Sequence, residues 1–403
     1  GIEDERITRY FNMHKMQYEV LNEFLKPSAP NASHLRAYTM ARNILEEYVL
    51  PKLKNKLDTL PVHKGMHMRR VFTNMKASAG ACRYGRCKED EQELIVDIAL
   101  MLLENPSDPG LPALCFHRAQ ISKYVKDGQL TPDLIKYKSR LVWCIDAATV
   151  MVEGMFARPL MDHVIPTMAN YAGGKSEREL NAWMQRWRKG KYYLCIDYSG
   201  YDSTVPYWLI KDMFELLKKY FKPEVHSVLD RICHRFINTS ILMPDGKIYT
   251  KHKGIPSGSY FTQIIGSLAN AQIILTYMCR WKGLSKFDVI AELRDLDDPT
   301  ILTFMAMGDD NVIFTINKMN VAELASYCNK VFGVKIEVSA GKIDQGRVAG
   351  DAPKFLKREW RMEGAYRDPL ELLLYAIHPE KWRKYDAYSP WHILYGYFLT
   401  YRA

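Results

Sequence analysis

The chain has 403 residues, 47% apolar and 25% charged, and its 56 Lys and Arg exceed its 46 Asp and Glu to give a formal net charge of +10. This length predicts two or three lobes rather than one core, and with no uninterrupted apolar run able to span a bilayer the expectation is a soluble protein without a membrane partner. The basic excess favours a polyanion, nucleic acid first.

The opening GIEDERITRY has neither an initiating Met nor a basic-then-apolar leader, which predicts no secretory signal and a processed or trimmed product. About the first 60 residues read as helical, with HLRAYTMARNILEEYVL apolar every three or four positions. PVHKGMHMRRVFTNMKASAGACRYGRCK, 61 to 88, is basic and loop-rich, EQELIVDIALMLLE is a helix, and NPSDPGLP is a break. KYKSRLVWCIDAATVMVEGMFARPL reads as extended first and helical later. Cys82, Cys87, Cys115, Cys144, Cys195, Cys233, Cys279 and Cys328 are expected to be reduced and buried, and the close pair Cys82 and Cys87 lacks the two further ligands of a zinc site.

From residue 191 the pattern becomes strand, loop, helix: YYLCI is a short strand ending at Asp197, and PYWLIKDMFELLKKYF is an amphipathic helix with Pro206 in its first turn. FINTSILMPDGKIYTKHK predicts a hairpin about Pro244-Asp245-Gly246, QIIGSLANAQIILTYMCRW a helix, LTFMAMGDDNVIFTI a second hairpin and VAELASYCNKVFG a further helix. The last 50 or so residues read as helical and aromatic, and are expected to pack on material beyond this chain.

Chemistry enters with FMAMGDDNVIF, whose turn would project Asp309 and Asp310 from a hairpin tip, with aspartate tolerating the positive φ such turns require. An exposed acidic turn is the ordinary reading of Asp-Asp alone. Adjacent carboxylates repel, however, and a hard divalent cation would relieve them. In YYLCIDYSGYDSTVP, Asp197 stands at a strand end with Asp202 five residues on; a strand-end carboxylate meeting one from a hairpin tip could hold two metal ions for phosphoryl transfer. Helix capping would explain Asp202 by itself. KGIPSGSYFTQIIGSLAN sets a Gly-Ser loop, Gly254 to Ser259, before a helix, an arrangement that admits a polymer backbone or serves as a plain connection.

In this order the three stretches resemble the palm motifs of viral RNA-dependent RNA polymerases: motif A with Asp197 and Asp202, motif B with Ser257, Gly258 and Thr262, and motif C with Gly308, Asp309 and Asp310. The wording is most similar to partitiviruses and related double-stranded RNA viruses, with picobirnaviruses the second choice, over about residues 73 to 360. KSRLVWCIDAA resembles motif F, which implies that Lys138 and Arg140, helped by Lys136, line the nucleotide channel. A triphosphate needs such cations on any account. KASAGACRYG is similar to motif G, implying template contacts at Ser78 and Gly80. SAGKID resembles motif D, which implies Lys342 as general acid, with Lys335 in GVKIEV the competing lysine. KFLKREW resembles motif E, with Phe355, Leu356, Lys357 and Arg358 supporting the growing strand. One departure concerns the sugar: positive-strand virus enzymes carry Asn where this chain has Gly266, and Asn270 lies one helical turn farther on roughly the same face. Either Asn270 reads the ribose 2′-hydroxyl, or Asp202 with Ser257 and Thr262 suffices.

The resemblance implies an α/β (α+β) right hand of the closed type. Its fingers would be 1–180 with an insertion at 235–258, its palm 181–350 and an incomplete thumb 351–403. It also implies two Mg2+ ions, or Mn2+, held by Asp197, Asp309 and Asp310; an RNA template and product; ribonucleoside triphosphates; a capsid protein as a further partner; and work inside the virion or in the host cytoplasm. Two alternatives are a reverse transcriptase, whose usual motif C aromatic is replaced here by Met307, and an inactive RNA-binding or capsid-associated relative.

Overall fold

The structure is a computed structural model that describes residues 16–53, 55–122, 125–126, 129–130, 136–187, 192–280, 302–315, 317–336, 344–347, 352–369 and 372. For 119–122, 125–126, 129–130, 136–139, 187, 302, 344, 345 and 347 it describes the backbone alone. Lys342 and the aromatic stretch from Trp382 to Tyr401 lie outside the described residues.

The helices follow the periodicities that predict them. In α1 (Arg36–Ile44) Tyr38, Ala41 and Ile44 recur at helical spacing and are buried, and the next turn, Leu45–Val49, widens to a π-helix. After α2 (Gln92–Glu104), α3 (Ala147–His163) starts at Asp146, whose carboxylate accepts from the Ala148 N–H at 2.9 Å. Then come α4 (Glu177–Trp187), α5 (Tyr207–Lys218), which begins directly after Pro206, and α6 (His226–Ile237). α7 (Thr262–Arg280) is buried at every position from Ile264 to Cys279, so it runs through the centre of the molecule. α8 (Val321–Phe332) opens on an Asn320 cap and closes at left-handed Gly333. The Tyr38 ring meets Trp208 at 5.4 Å and Phe332 at 6.3 Å, which ties α1 to α5 and α8.

One sheet contains a strand the sequence reading leaves unassigned. β1 (Ala113–Ser122) pairs antiparallel with β2 (Lys136–Cys144) from Leu114↔Cys144 to Ser122↔Lys136. The predicted hairpin about Pro244 then joins it, β5 (Ser240–Leu242) lying parallel to β1 and antiparallel to β6 (Ile248–Thr250), once β3 (Tyr192–Cys195) and β4 (Tyr198–Ser199) are numbered in chain order.

β3 belongs to the sheet that carries the aspartates. With β7 (Leu302–Met307), β8 (Asp310–Thr315) and β10 (Asp344–Arg347) it forms an antiparallel sheet of order β10-β3-β8-β7, while β4 pairs with β9 (Lys335–Ile336). Lys335 is therefore a strand residue, opposite Ser199. Strand alternation divides the core in two. Leu194, Phe304, Ala306 and Ile313 join the main core with α7, whereas Tyr193, Cys195, Met305, Val312 and Phe314 face away from it. That second face is covered by Leu180 and Met184 of α4 and by Phe355 and Trp360 of a small sheet, β11 (Lys354–Phe355), β12 (Arg358–Arg361) and β13 (Gly364–Tyr366). A sheet clamped from both sides is a rigid platform for what its loops project. All eight cysteines are free; Cys195, Cys233, Cys279 and Cys328 are buried, but Cys82, Cys87, Cys115 and Cys144 are only half-buried, against expectation.

Candidate active site

Met307 and Asp310 close the β7–β8 ladder, so Gly308 and Asp309 form a two-residue loop. The positive φ belongs to Gly308, at 62°, and not to either aspartate. Glycine lacks the Cβ that makes this conformation costly, so it takes the position the sequence reading gave to aspartate. Two side chains hold the loop from beneath, and a third holds one of them. The Gly308 N–H donates to Ser267 Oγ at 2.7 Å, and Asn270 Nδ2 donates to the carbonyls of Gly308 and Asp310 at 2.9 and 3.3 Å. Tyr198 donates its hydroxyl to Asn270 Oδ1 at 3.0 Å. Asn270 is thus wholly buried with its amide engaged by the loop. The expectation that it is presented to a ribose is corrected here: its helical face is right, but Tyr198 and the Gly308 loop already occupy that face.

Asp197 follows the end of β3 and is exposed. After β4, left-handed Gly200 leads into a one-turn helix, Tyr201–Thr204, that carries Asp202. The Asp202 carbonyl accepts from the Ile255 N–H at 2.7 Å, and a Cβ on Gly254 would fall 2.5 Å from that same oxygen. Motif A is therefore fastened to the start of the motif B loop. Tyr201, which the sequence reading passed over, is buried and donates to the Gly266 carbonyl at 2.7 Å. A Cβ on Gly266 would lie 4.0 Å from the Tyr201 ring and 3.8 Å from Gly308 Cα, so a longer side chain there would enter space that Tyr201 already borders.

The carboxylates share one electrostatic field. Burial, and then the charge of Asp309, push Asp202 up to about 7, with Arg140 opposing. Burial, and then Asp309 and Asp197, push Asp310 up to about 6, opposed by Lys357 and Arg140. Both residues are exposed to solvent, yet enough protein surrounds them for burial to be the largest cause of each shift. Arg140 of β2 and Lys357 of the motif E turn, where φ is 59°, therefore reach the same cluster. The β1–β2 register adds Arg118 directly opposite Arg140, both exposed. Like charges so placed repel unless an anion lies between them. The backbone of Lys138 and Lys136 continues β2 in the same register, opposite Gln120 and Ser122.

The remaining expected contacts have structural duties. Ser257 Oγ accepts from the Trp143 N–H at 3.1 Å, and a Cβ on Gly258 would fall 1.9 Å from the Trp143 carbonyl oxygen, so this glycine admits β2. Thr262 donates its hydroxyl to the carbonyls of Pro256 at 2.5 Å and Ser259 at 2.9 Å, which curls the loop onto the start of α7. Ser78 Oγ accepts from the Gly80 N–H at 3.1 Å. Gly80 is buried with φ of 84°, and its missing Cβ would meet Asp146 Cα at 2.7 Å, so packing rather than an approaching template demands glycine there. Arg358, expected to support the growing strand, forms an ion pair with Glu177 that ties β12 to α4.

Oxygen donors from Asp197, Asp309 and Asp310, mutually repelling and open to solvent, suit a hard cation. Among the described residues no group of three His, Cys, Asp or Glu side chains is drawn together closely enough to hold a metal ion by itself, so an ion at Asp197, Asp309 and Asp310 would need oxygens from water and substrate phosphate as well. Among the described residues no helix is long and apolar enough to cross a membrane.

Known proteins resemble this chain in sequence and in fold. The family model described as viral RNA-dependent RNA polymerase matches residues 4–373. The RNA-directed RNA polymerase of Cryptosporidium parvum virus 1 (strain KSU-1), a double-stranded RNA virus, is 35% identical over 140 residues, 33% of this chain and 26% of that protein. The genome polyprotein of poliovirus type 3 is 29% identical over 188 residues, 46% of this chain and 7% of the polyprotein. The matches thus span about a quarter or less of these relatives' own length. The crystal structure of the RNA-dependent RNA polymerase of a human picobirnavirus shares the fold, with a TM-score of 0.65 at 14% identity, covering 98% of this chain and 69% of that one.

Proposed function

The chain belongs to the viral RNA-dependent RNA polymerases, and on that premise we propose that it extends RNA on an RNA template by transferring ribonucleotides from their triphosphates through two-metal-ion chemistry. The observation that carries the proposal is the common field of Asp197, Asp202, Asp309 and Asp310, borne on two separate stretches of chain and faced by Arg140 and Lys357. Asp197 and Asp309 hold the ions and Asp310 adjusts the field from the edge. Divalent ions held by these carboxylates, Mg2+ or Mn2+, would supply Lewis-acid activation of the 3′-hydroxyl and charge stabilisation for the leaving pyrophosphate. Arg140, with Arg118 opposite and Lys138 farther along β2, offsets the triphosphate charge, guanidinium groups matching phosphate oxygens in pairs. Asp202, with Ser257 and Thr262 nearby, is left as the group that reads the sugar, since Asn270 is engaged elsewhere. Lys342 is proposed as the general acid on the resemblance of SAGKID to motif D. Base pairing selects the nucleotide, and contacts to RNA fall on phosphate and 2′-hydroxyl. A capsid protein is a partner to test, and the particle interior and host cytoplasm are the compartments this reading requires.

The test is labelled ribonucleotide incorporation on single-stranded RNA with Mg2+, comparing the native chain with Asp309→Asn. Product from the native chain and none from the variant is the expected result. Equal product from both would refute the metal assignment. Preference for deoxynucleotides would instead favour a reverse transcriptase, and RNA binding without synthesis an inactive relative.

A further inference from the structure

A second buried amide follows the aspartate pair directly. Asn311, the second residue of β8, is 2% exposed. Its Oδ1 accepts from the Ile196 N–H at 3.1 Å, while its Nδ2 donates to the Ile196 carbonyl at 3.3 Å and to the Asp309 carbonyl at 3.2 Å. Ile196 immediately precedes Asp197. β3 and β8 pair at Tyr192↔Thr315, Tyr193↔Phe314 and Leu194↔Ile313, and the same register continued by two residues brings Ile196 opposite Asn311. The side chain therefore extends the ladder by one rung beyond the paired residues, and it ties Ile196, whose neighbour is Asp197, to the main chain of Asp309 itself. Only an amide can do this: Asp would lack the donors, and Leu or Val would lack donor and acceptor alike. The alternation of β8 calls for an apolar residue here, and a buried polar group is costly unless its bonds are made.

We propose that Asn311 is a positioning residue that fixes the separation of Asp197 and Asp309. The inference rests on the reading of those two aspartates as the metal carriers. Magnesium tolerates little error in the placement of its oxygen ligands, so a clamp on the two main chains governs affinity without touching the ion.

The experiment titrates Mn2+ into the metal-free chain and reads free Mn2+ by electron paramagnetic resonance, with melting temperature measured in parallel. Native protein is compared with Asn311→Ala, the milder Asn311→Ser, Asp309→Asn and Gln272→Leu. Gln272 is a buried amide of α7 whose Nε2 donates to the Tyr38 carbonyl at 3.0 Å, and it controls for general loosening. The expected result is that both Asn311 variants bind Mn2+ more weakly by on the order of 10-fold, that Asp309→Asn loses the site, and that Gln272→Leu binds as native does at a comparable loss of melting temperature. Native affinity in the Asn311 variants, with binding lost in Asp309→Asn, would overturn the positioning role and leave the polymerase reading standing. Native affinity in Asp309→Asn would overturn both. Equal weakening in Gln272→Leu would reduce the effect to loosening of the core and overturn the proposal.

Discussion

Asp202 is held where its charge is unwelcome in the absence of a cation, and this has a measurable sign. Its carboxyl rises from the ordinary 3.8 to about 7, by burial first and by Asp309 second. A carboxyl whose folded value is raised favours the fold in its protonated form, so that contribution is fully present below about pH 4 and is lost as the pH climbs through about 7. Asp202→Asn removes the dependence. The metal-free variant should melt with the native chain at pH 4 and above it at pH 8. The gap should be about 1 kcal/mol after allowing for the water that reaches this side chain. Because Asp309 supplies part of the penalty, Mg2+ should narrow the gap. Calorimetry at the two pH values, with and without Mg2+, checks this, and a constant gap would show that the carboxyl is not shifted.

At the scale of elements, two glycines of motif B make opposite predictions. Gly258 touches main chain, with its missing Cβ 1.9 Å from the Trp143 carbonyl oxygen, so Gly258→Ala must displace either the loop or β2, at a cost of about 1–3 kcal/mol. Gly266 lies within α7 with no neighbour closer than 3.6 Å to its missing Cβ, so Gly266→Ala should be neutral or stabilise by up to about 1 kcal/mol through helix propensity. Thermal melting of the two variants should therefore shift in opposite directions or leave Gly266→Ala unmoved, and equal losses would contradict the packing described. The same elements show what the sequence discloses. The β7–β8 hairpin is legible because apolar runs flank a turn, and the pairs Asp197 with Asp202 and Asp309 with Asp310 because each spacing is local, whereas the meeting of the two pairs is an inference about the fold. β1 is not legible, since LCFHRAQIS mixes charge into its alternation and its partner begins beyond a connection whose pairing the sequence does not announce. Nor are the duties of Asn270 and Asn311, whose bonds reach 38 and 115 residues along the chain. Helical spacing gave Asn270 the right face, but only the packed neighbours decide what that face meets.

At the scale of the molecule, the motif B loop, α6 and β2 meet at one wholly buried lysine. Lys251 directs Nζ to the carbonyls of Phe236 and Ile237 at 2.5 and 3.0 Å, the last residues of α6, and to those of Lys253 and Gly254 at 3.4 and 2.8 Å, where the motif B loop begins. The rings of Phe236 and Trp143 lie 5.5 and 6.0 Å away. Burial draws its pKa well below the ordinary 10.5, so from this group alone stability rises with pH up to that ordinary value. Against that penalty stand the carbonyl oxygens, the negative end of the α6 dipole and two π faces, all of which favour a cation. Lys251→Met preserves the length and apolar stem but leaves buried carbonyls without a donor. Since each orphaned group costs more than the desolvation it relieves, we expect a net loss of about 2–4 kcal/mol. The loss should be focused where those carbonyls lie, so limited proteolysis should open the chain between 251 and 259 before it opens α7. A variant that melts at or above the native temperature would mean that the desolvation of Lys251 outweighs its bonds, and that the loop is held instead by Glu153, which accepts from Ser259 Oγ and the Tyr260 N–H at 2.9 Å each.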